Sequence, residues 1–150
     1  MLRNQKKIGE ILIERGLITQ AQLEDALAEQ ARTNKFLGDI LLKNKKIIEK
    51  DLLSVLAKQF NISFIKLNNE NINWDFVKKF SPSLILDYKC IPIKGDEWSI
   101  TIGINNPLEV DLIKKAEDEA RGLRLNLVLV SKDDLEGFIV KYKQQVQRNI

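Results

Sequence analysis

Histidine is missing altogether from these 150 residues, and cysteine and methionine each occur once. Without histidine there is no imidazole general base, no Ser-His or Cys-His pair and no histidine metal ligand. The lone Cys90 excludes an internal disulfide, which fits a reducing compartment. Its setting, Lys89-Cys90-Ile91-Pro92-Ile93, is apolar and strand-like, so the thiol reads as a buried structural group rather than a nucleophile. No G-x-x-x-x-G-K-[ST] loop is present, which removes P-loop phosphate binding. The longest apolar runs, such as Ile11-Leu12-Ile13 and Ile40-Leu41-Leu42, fall far short of the ~20 residues of a membrane span. The basic N-terminus lacks an apolar h-region, so no signal peptide is read there. Acidic groups such as Asp133-Asp134 and Glu117-Asp118-Glu119 fall on helix faces expected to be solvated. No catalytic constellation assembles, and the chain reads as non-catalytic, with no cofactor or metal expected.

Hydrophobic content of 44% and charged content of 30% are ordinary for a globular chain of one domain or two small subdomains. The net charge of +3 is unevenly placed: residues 1–60 hold eleven Lys and Arg against eight Asp and Glu, whereas 61–150 hold thirteen of each. That excess is too small for duplex nucleic acid, where several phosphate contacts are usual, so neither DNA nor RNA is expected as a partner. It is compatible with a small anionic ligand, with an acidic protein surface, or with ordinary solvated lysines.

What the chain does have is a 24-residue pattern written twice, 29 positions apart. The first copy runs Lys7-Ile8-Gly9 through Gly16-Leu17-Ile18 to Leu23, Leu27 and Gln30; the second runs Phe36-Leu37-Gly38 through Leu41 and Ile47 to Leu52, Leu56 and Gln59. Ala31 to Lys35 form a five-residue spacer. Each copy reads as helix, turn, helix. Ile8, Ile11, Leu12 and Arg15 trace one helical face, and Gly16 is placed to end that helix in a left-handed conformation. Thr19 with Gln22 three residues on has the spacing of a capping box, and Leu23, Ala26, Leu27 and Gln30 form the stripe of the next helix. In the second copy Lys45 stands where Gly16 stands and Ile48 where Thr19 stands, so Asn44 or Lys45 must end the helix and the cap is lost, with Asp51 the nearest compensation. The repeated glycines and glutamines suit a two-fold ligand or a repeated interaction surface. The same residues also admit a structural reading, glycine for close helix packing and glutamine to cap a neighbouring turn.

Beyond Gln59 the periodicity changes. Ile62 to Leu67 predicts a strand, followed by an asparagine-rich turn from Asn68 to Asn73. Short helices are expected over Trp74 to Phe80 and Pro82 to Asp87, the latter opened by Ser81. Cys90 to Lys94 and Trp98 to Ile104 predict a hairpin, then come a helix over Leu108 to Arg121 closed by Gly122, a strand over Leu123 to Val130, and a helix from Lys132 to about Gln145 capped by Ser131. The fold class is therefore α+β: a helical subdomain of two tandem helix-turn-helix repeats (5–60) packed with a small α/β sandwich subdomain (61–143) whose sheet has three or four strands, and a polar tail or linker (144–150).

This layout resembles the N-terminal domain of type II secretion and type IV pilus assembly ATPases, and in particular its MshEN subset. The subset's motif is Arg-Leu-Gly, two aliphatics, Gly, two aliphatics, then Leu, Leu and Gln, repeated after a five-residue spacer. Lys7-Ile8-Gly9, Leu12-Ile13, Gly16-Leu17-Ile18, Leu23, Leu27 and Gln30 match it, as do Leu37-Gly38, Leu41-Leu42, Ile47, Leu52, Leu56 and Gln59. Phe64-Ile65-Lys66-Leu67, Ile91-Pro92-Ile93, Ile100 to Ile104 and Asn106-Pro107 extend the resemblance over roughly residues 5–143. It departs at Lys7, at Phe36 and at Lys45-Lys46.

The resemblance implies a non-catalytic regulatory or docking domain that binds cyclic di-GMP through the tandem motif. The candidate site is Lys7, Ile8, Gly9, Leu12, Leu17 and Gln30 from the first copy with Phe36, Leu37, Gly38, Leu41, Ile47 and Gln59 from the second. Glycine lets backbone approach a phosphate or base, a cation pairs with phosphate, and a glutamine carboxamide offers donor and acceptor to a guanine edge. Leu12, Leu17, Leu41 and Ile47 would floor the site. The alternative it implies is an adaptor that docks the ATPase to its inner-membrane platform without nucleotide. Implied partners are an ATPase motor domain and the platform protein, in the cytoplasm, with membrane association only through a partner and no direct insertion. Family members usually carry a motor domain after this region, so a fragment or a stand-alone regulator is expected.

Overall fold

The computed structural model describes residues 2–68, 70 and 72–146, with side chains from Ile8 onward. The side chain of Lys7, Asn69 and Asn71 of the expected turn, and 147–150 of the expected tail lie outside the described part. The chain forms two compact units, Met1–Phe60 and Asn61–Ile150.

The first unit is four helices: α1 (Leu2–Glu14), α2 (Gln20–Thr33), α3 (Leu37–Lys43) and α4 (Glu49–Phe60). Neighbours in space alternate between the copies, α1 lying against α4 and α2 against α3. Each first helix thus contacts the second helix of the other copy, the crossed pairing a pseudo-two-fold repeat produces. Equivalent apolar positions of the two copies are buried alike: Leu12 and Leu41, Ile18 and Ile47, Leu23 and Leu52, and Ala26 and Val55. Each buried aliphatic side chain stabilises the unit by about 1.5–3 kcal/mol before conformational entropy is subtracted. The stripe expected on α2 is present, with Leu23, Ala26 and Gln30 buried and Leu27 half-buried.

The second unit holds β1 (Ser63–Phe64), α5 (Trp74–Val77), α6 (Pro82–Leu86), β2 (Ile91–Gly95), β3 (Ser99–Ile104), α7 (Val110–Ala120), β4 (Arg124–Leu129) and α8 (Lys132–Gln145). The sheet is mixed, in the order β1-β4-β3-β2, with β2 antiparallel to β3 and β4 parallel to both β3 and β1. Ile100, Ile102 and Ile104 on β3 stand beside Leu125, Leu127 and Leu129 on β4, one apolar face built by period-two alternation. Phe138 of α8 stacks on Trp74 at 5.6 Å and on Tyr142 at 6.3 Å.

Three elements are shorter than the sequence predicts by three residues or more, each for a traceable reason. β1 pairs over two residues because the chain then leaves the sheet: Ile65 N–H still donates to the Leu129 carbonyl, but Leu67 N–H donates to the Asp134 carboxylate. α5 stops at Val77 because Lys79 and Phe80 tighten to i−3 carbonyls, after which Ser81 N–H donates to Glu119. α7 begins at Val110 rather than Leu108 because the Asn106 side chain accepts the Leu108 N–H. Its end is set by two successive left-handed residues, Arg121 (φ 52°) and Gly122 (φ 88°). The caps of α6 and α8 are as expected, Ser81 Oγ accepting from Leu84 N and Ser131 Oγ from Asp134 N.

Candidate functional site

The helix-ending turns of the two copies correspond hydrogen bond for hydrogen bond. α1 ends with Gly16 N–H donating to Ile13 O (2.9 Å) and Leu17 N–H to Leu12 O (2.9 Å); α3 ends with Lys45 N–H donating to Leu42 O (3.0 Å) and Lys46 N–H to Leu41 O (2.9 Å). This is the Schellman arrangement, which needs a left-handed residue just past the helix. Gly16 supplies it at φ 71°, and Lys45 supplies it at φ 58° without glycine's freedom. Thr19 caps α2 in a full capping box, its Oγ1 accepting from Gln22 N while Gln22 Oε1 accepts from Thr19 N. Ile48 occupies the equivalent position before α4 and is exposed.

The repeated glycines have a packing cause. A methyl group added to Gly9 would stand 2.7 Å from a methyl of Leu23, and one added to Gly38 would stand 2.9 Å from a methyl of Leu52. Leu23 lies 14 residues after Gly9, as Leu52 does after Gly38. In both copies the glycine admits the motif leucine of the following helix against the backbone of the preceding one. Two motif positions, far apart in the chain, are thereby one contact.

The glutamines end differently. Gln30 is buried, and its Nε2 donates to the Lys35 carbonyl at 3.0 Å, tying the spacer back to α2. Gln59 is half-buried, and its Oε1 is shielded from solvent with no hydrogen-bond partner. A buried acceptor left unpaired costs about 1–3 kcal/mol, so the second copy carries an acceptor that the first does not.

The remaining candidates separate by burial. Ile8, Leu12, Leu37, Leu41 and Ile47 are core residues, Gly9 is buried, and Gly38, Leu17 and Phe36 are half-buried. Phe36 is the extended residue before α3, at φ −67° and ψ 141°. Lys7 lies in α1. The structure thus brings the candidates together as one helical unit, with the apolar ones largely committed to its interior. The sequence pattern did not distinguish Gln30 from Gln59, because the spacer carbonyl that Gln30 holds has no sequence signature.

Elsewhere the chemistry is quiet. Cys90 is buried, its Sγ 3.6 Å from the Leu84 carbonyl, and burial, then the Glu119 charge, push the thiol far above the ordinary thiol range. No group of His, Cys, Asp or Glu among the described residues could hold a metal ion, and no described helix is long and apolar enough to cross a membrane. A cleft of about 170 Å³ in the second unit, floored by Ile65, Leu67, Ile91, Pro92 and Ile93, is below the ~300 Å³ at which ligand pockets begin.

The MshEN domain family model matches residues 60–149, within which the whole sheet and its helices fall. Among curated proteins, the type IV pilus assembly ATPase PilB of Myxococcus xanthus is 23% identical over 91% of this chain and 24% of its own length. PilB of Thermus thermophilus is 32% identical over 67% of this chain and 11% of its own length. The chain therefore spans only about a quarter or less of these relatives. Among solved structures, one of MshE with cdg superposes with a TM-score of 0.79 at 25% identity, over 90% of this chain and 98% of the other. The N-terminal domain of XpsE superposes with a TM-score of 0.67 at 15% identity, over 91% and 93%, which establishes the shared fold.

Proposed function

The chain belongs to the MshEN domain family, and from that premise we propose that it is a regulatory module of a type IV pilus or type II secretion ATPase whose tandem helical unit binds cyclic di-GMP. The observation that carries this reading is the near-identity of the two copies in glycine contacts and turn hydrogen bonds, joined through the crossed α1–α4 and α2–α3 pairing. A ligand of two identical halves suits a scaffold of two equivalent halves. The unpaired Gln59 Oε1 supports it, since turning the carboxamide outward would exchange a buried unpaired acceptor for the N–H donors of a guanine edge. The likeness to MshE with cdg, cyclic di-GMP, points the same way.

In this reading Lys7 pairs with a phosphate and Gln30 and Gln59 address the bases, while Gly9 and Gly38 act through the close packing of Leu23 and Leu52 that sets the helices. Leu17 and Phe36, half-buried, are the apolar residues best placed to cover them. Lys7→Glu should raise Kd for cyclic di-GMP at least tenfold, the ~1.5–3 kcal/mol of a hydrogen bond to a charged group. Unchanged affinity would remove Lys7 from the site.

One observation favours the second reading, an adaptor that docks the ATPase to its inner-membrane platform through protein contacts. Leu12, Leu41 and Ile47, offered as a ligand floor, are core residues. With them committed to the interior, the tandem motif serves as scaffold. A thermal-shift series separates the two. Cyclic di-GMP at a hundred times its Kd should stabilise the chain by about 2.7 kcal/mol, with GTP and cyclic di-AMP inert; an unmoved midpoint with all three leaves the adaptor.

A further inference from the structure

The turn joining α3 to α4 differs from its counterpart between α1 and α2 in charge, not in backbone. Both have the same pair of Schellman hydrogen bonds. The first turn reads Glu14-Arg15-Gly16-Leu17-Ile18-Thr19-Gln20-Ala21; the second reads Lys43-Asn44-Lys45-Lys46-Ile47-Ile48-Glu49-Lys50. Four lysines thus stand within eight residues where the first copy has one cation and one anion. All four are exposed, while Glu49 within the same stretch and Asp51 just after it are half-buried in the first turn of α4. Among the lysines Ile48 is 64% exposed, at the position that Thr19 uses to cap a helix. Lys45 also holds a left-handed conformation at φ 58° that glycine holds in the first copy without strain.

From this cluster we propose that the α3–α4 turn is a contact point for an anionic lipid surface, with Lys43, Lys45, Lys46 and Lys50 among the headgroups and Ile48 at their apolar boundary. The composition fits a surface rather than a chain-like partner. Lysine is a hydrated point charge on a flexible stem, suited to a diffuse anionic layer, where arginine would suit bidentate recognition of particular carboxylates. The apolar side chain is borne outward on a tight interhelical turn, so it offers a tip to insert rather than a groove to fill. Electrostatic attraction at an anionic leaflet combined with one partly inserted aliphatic is the two-signal logic of reversible surface binding. This contact is additional to any reached through a protein partner, and it does not depend on a nucleotide site.

The test is co-sedimentation of the whole chain with vesicles of phosphatidylcholine alone and of phosphatidylcholine with about one-third phosphatidylglycerol, at low and high salt. Binding to the anionic vesicles only, lost as salt shortens the screening length, is expected. The triple variant Lys45→Gly, Lys46→Leu, Ile48→Thr gives this turn the residues of the first, whose backbone is the same, so it should fold. Neutralising Lys45 and Lys46 should each cost about fivefold in affinity, so the variant should bind about 25-fold more weakly. Equal binding by variant and parent, or no binding by the parent, overturns the proposal. So does capture by polyglutamate with vesicles left free, which would assign the turn to an acidic protein.

Discussion

Replacing Lys45 by glycine should make the protein more stable, although glycine is ordinarily a destabilising substitution. Lys45 sits at φ 58° just past α3, in the turn that Gly16 makes at φ 71° past α1. A left-handed conformation costs an L-residue roughly 1–2 kcal/mol, which glycine does not incur. Against this, glycine's greater freedom in the unfolded chain costs roughly 0.5–1 kcal/mol. The Lys45 side chain is exposed, so little packing is lost with it. The net expectation is a gain of about 0.5–1 kcal/mol, or about 1–4 °C in Tm for a chain of this length. Gly16→Lys should show the opposite sign, because nothing stands within 4 Å of Gly16 and conformation alone is at issue. Urea denaturation followed by far-ultraviolet circular dichroism measures both, with the slope unchanged if only native strain has moved. A Lys45→Gly protein that is less stable than its parent would refute the reasoning, and with it the equivalence of the two turns.

Gly9→Ala and Gly38→Ala should each destabilise by about 1–3 kcal/mol through overpacking against Leu23 and Leu52, and shortening the facing leucine to valine should recover part of the loss; additive effects in that double-mutant cycle would deny the contact. Ser81→Ala should cost about 1–2 kcal/mol, since it removes the α6 cap and a 2.5 Å bond to Glu119 together, and calorimetric unfolding will show it. The N–H groups of Trp98 and Ser99 hold the Asp96 carboxyl below its ordinary 3.8, so its contribution to the hairpin is present above that value and fades as pH falls through the lower folded one. Amide shifts of Trp98 and Ser99 should therefore titrate below the ordinary carboxylate range, and a midpoint at 3.8 would contradict this. Cys90 should resist thiol reagents in the native state and react on unfolding, whereas rapid native labelling would show that its burial is not maintained.

Local chemistry made much of this fold legible in the sequence. The capping box at Thr19, the serine caps, Pro82 after Ser81, and the Gly16 turn each depend on residues within about one helical turn of each other, so Thr19, Ser81 and Ser131 identified helix starts directly. The family was legible for the same reason, from spacing kept across two copies. What the sequence could not show were partners distant in the chain. β1 was expected over six residues and pairs over two because Asp134, 67 positions later, takes the Leu67 N–H. The recurrence of Gly9 and Gly38 was visible, but that a leucine packs on each required the fold. Gln30 and Gln59 look equivalent in the motif, yet one is engaged by the spacer and the other leaves a buried oxygen unpaired. Leu12 and Leu41, plausible as a ligand floor from their positions, lie inside the helical unit because the crossed pairing of helices turns the motif's apolar face inward.

The central claim is that the tandem unit is a guanine-reading module, and isothermal calorimetry of the whole chain against cyclic di-GMP tests it most directly. Saturable heat for cyclic di-GMP, none for GTP or cyclic di-AMP, and a weakened signal in Gln59→Leu are the predicted results. No heat with any of the three nucleotides would contradict the claim and leave the repeat as the scaffold of a docking adaptor.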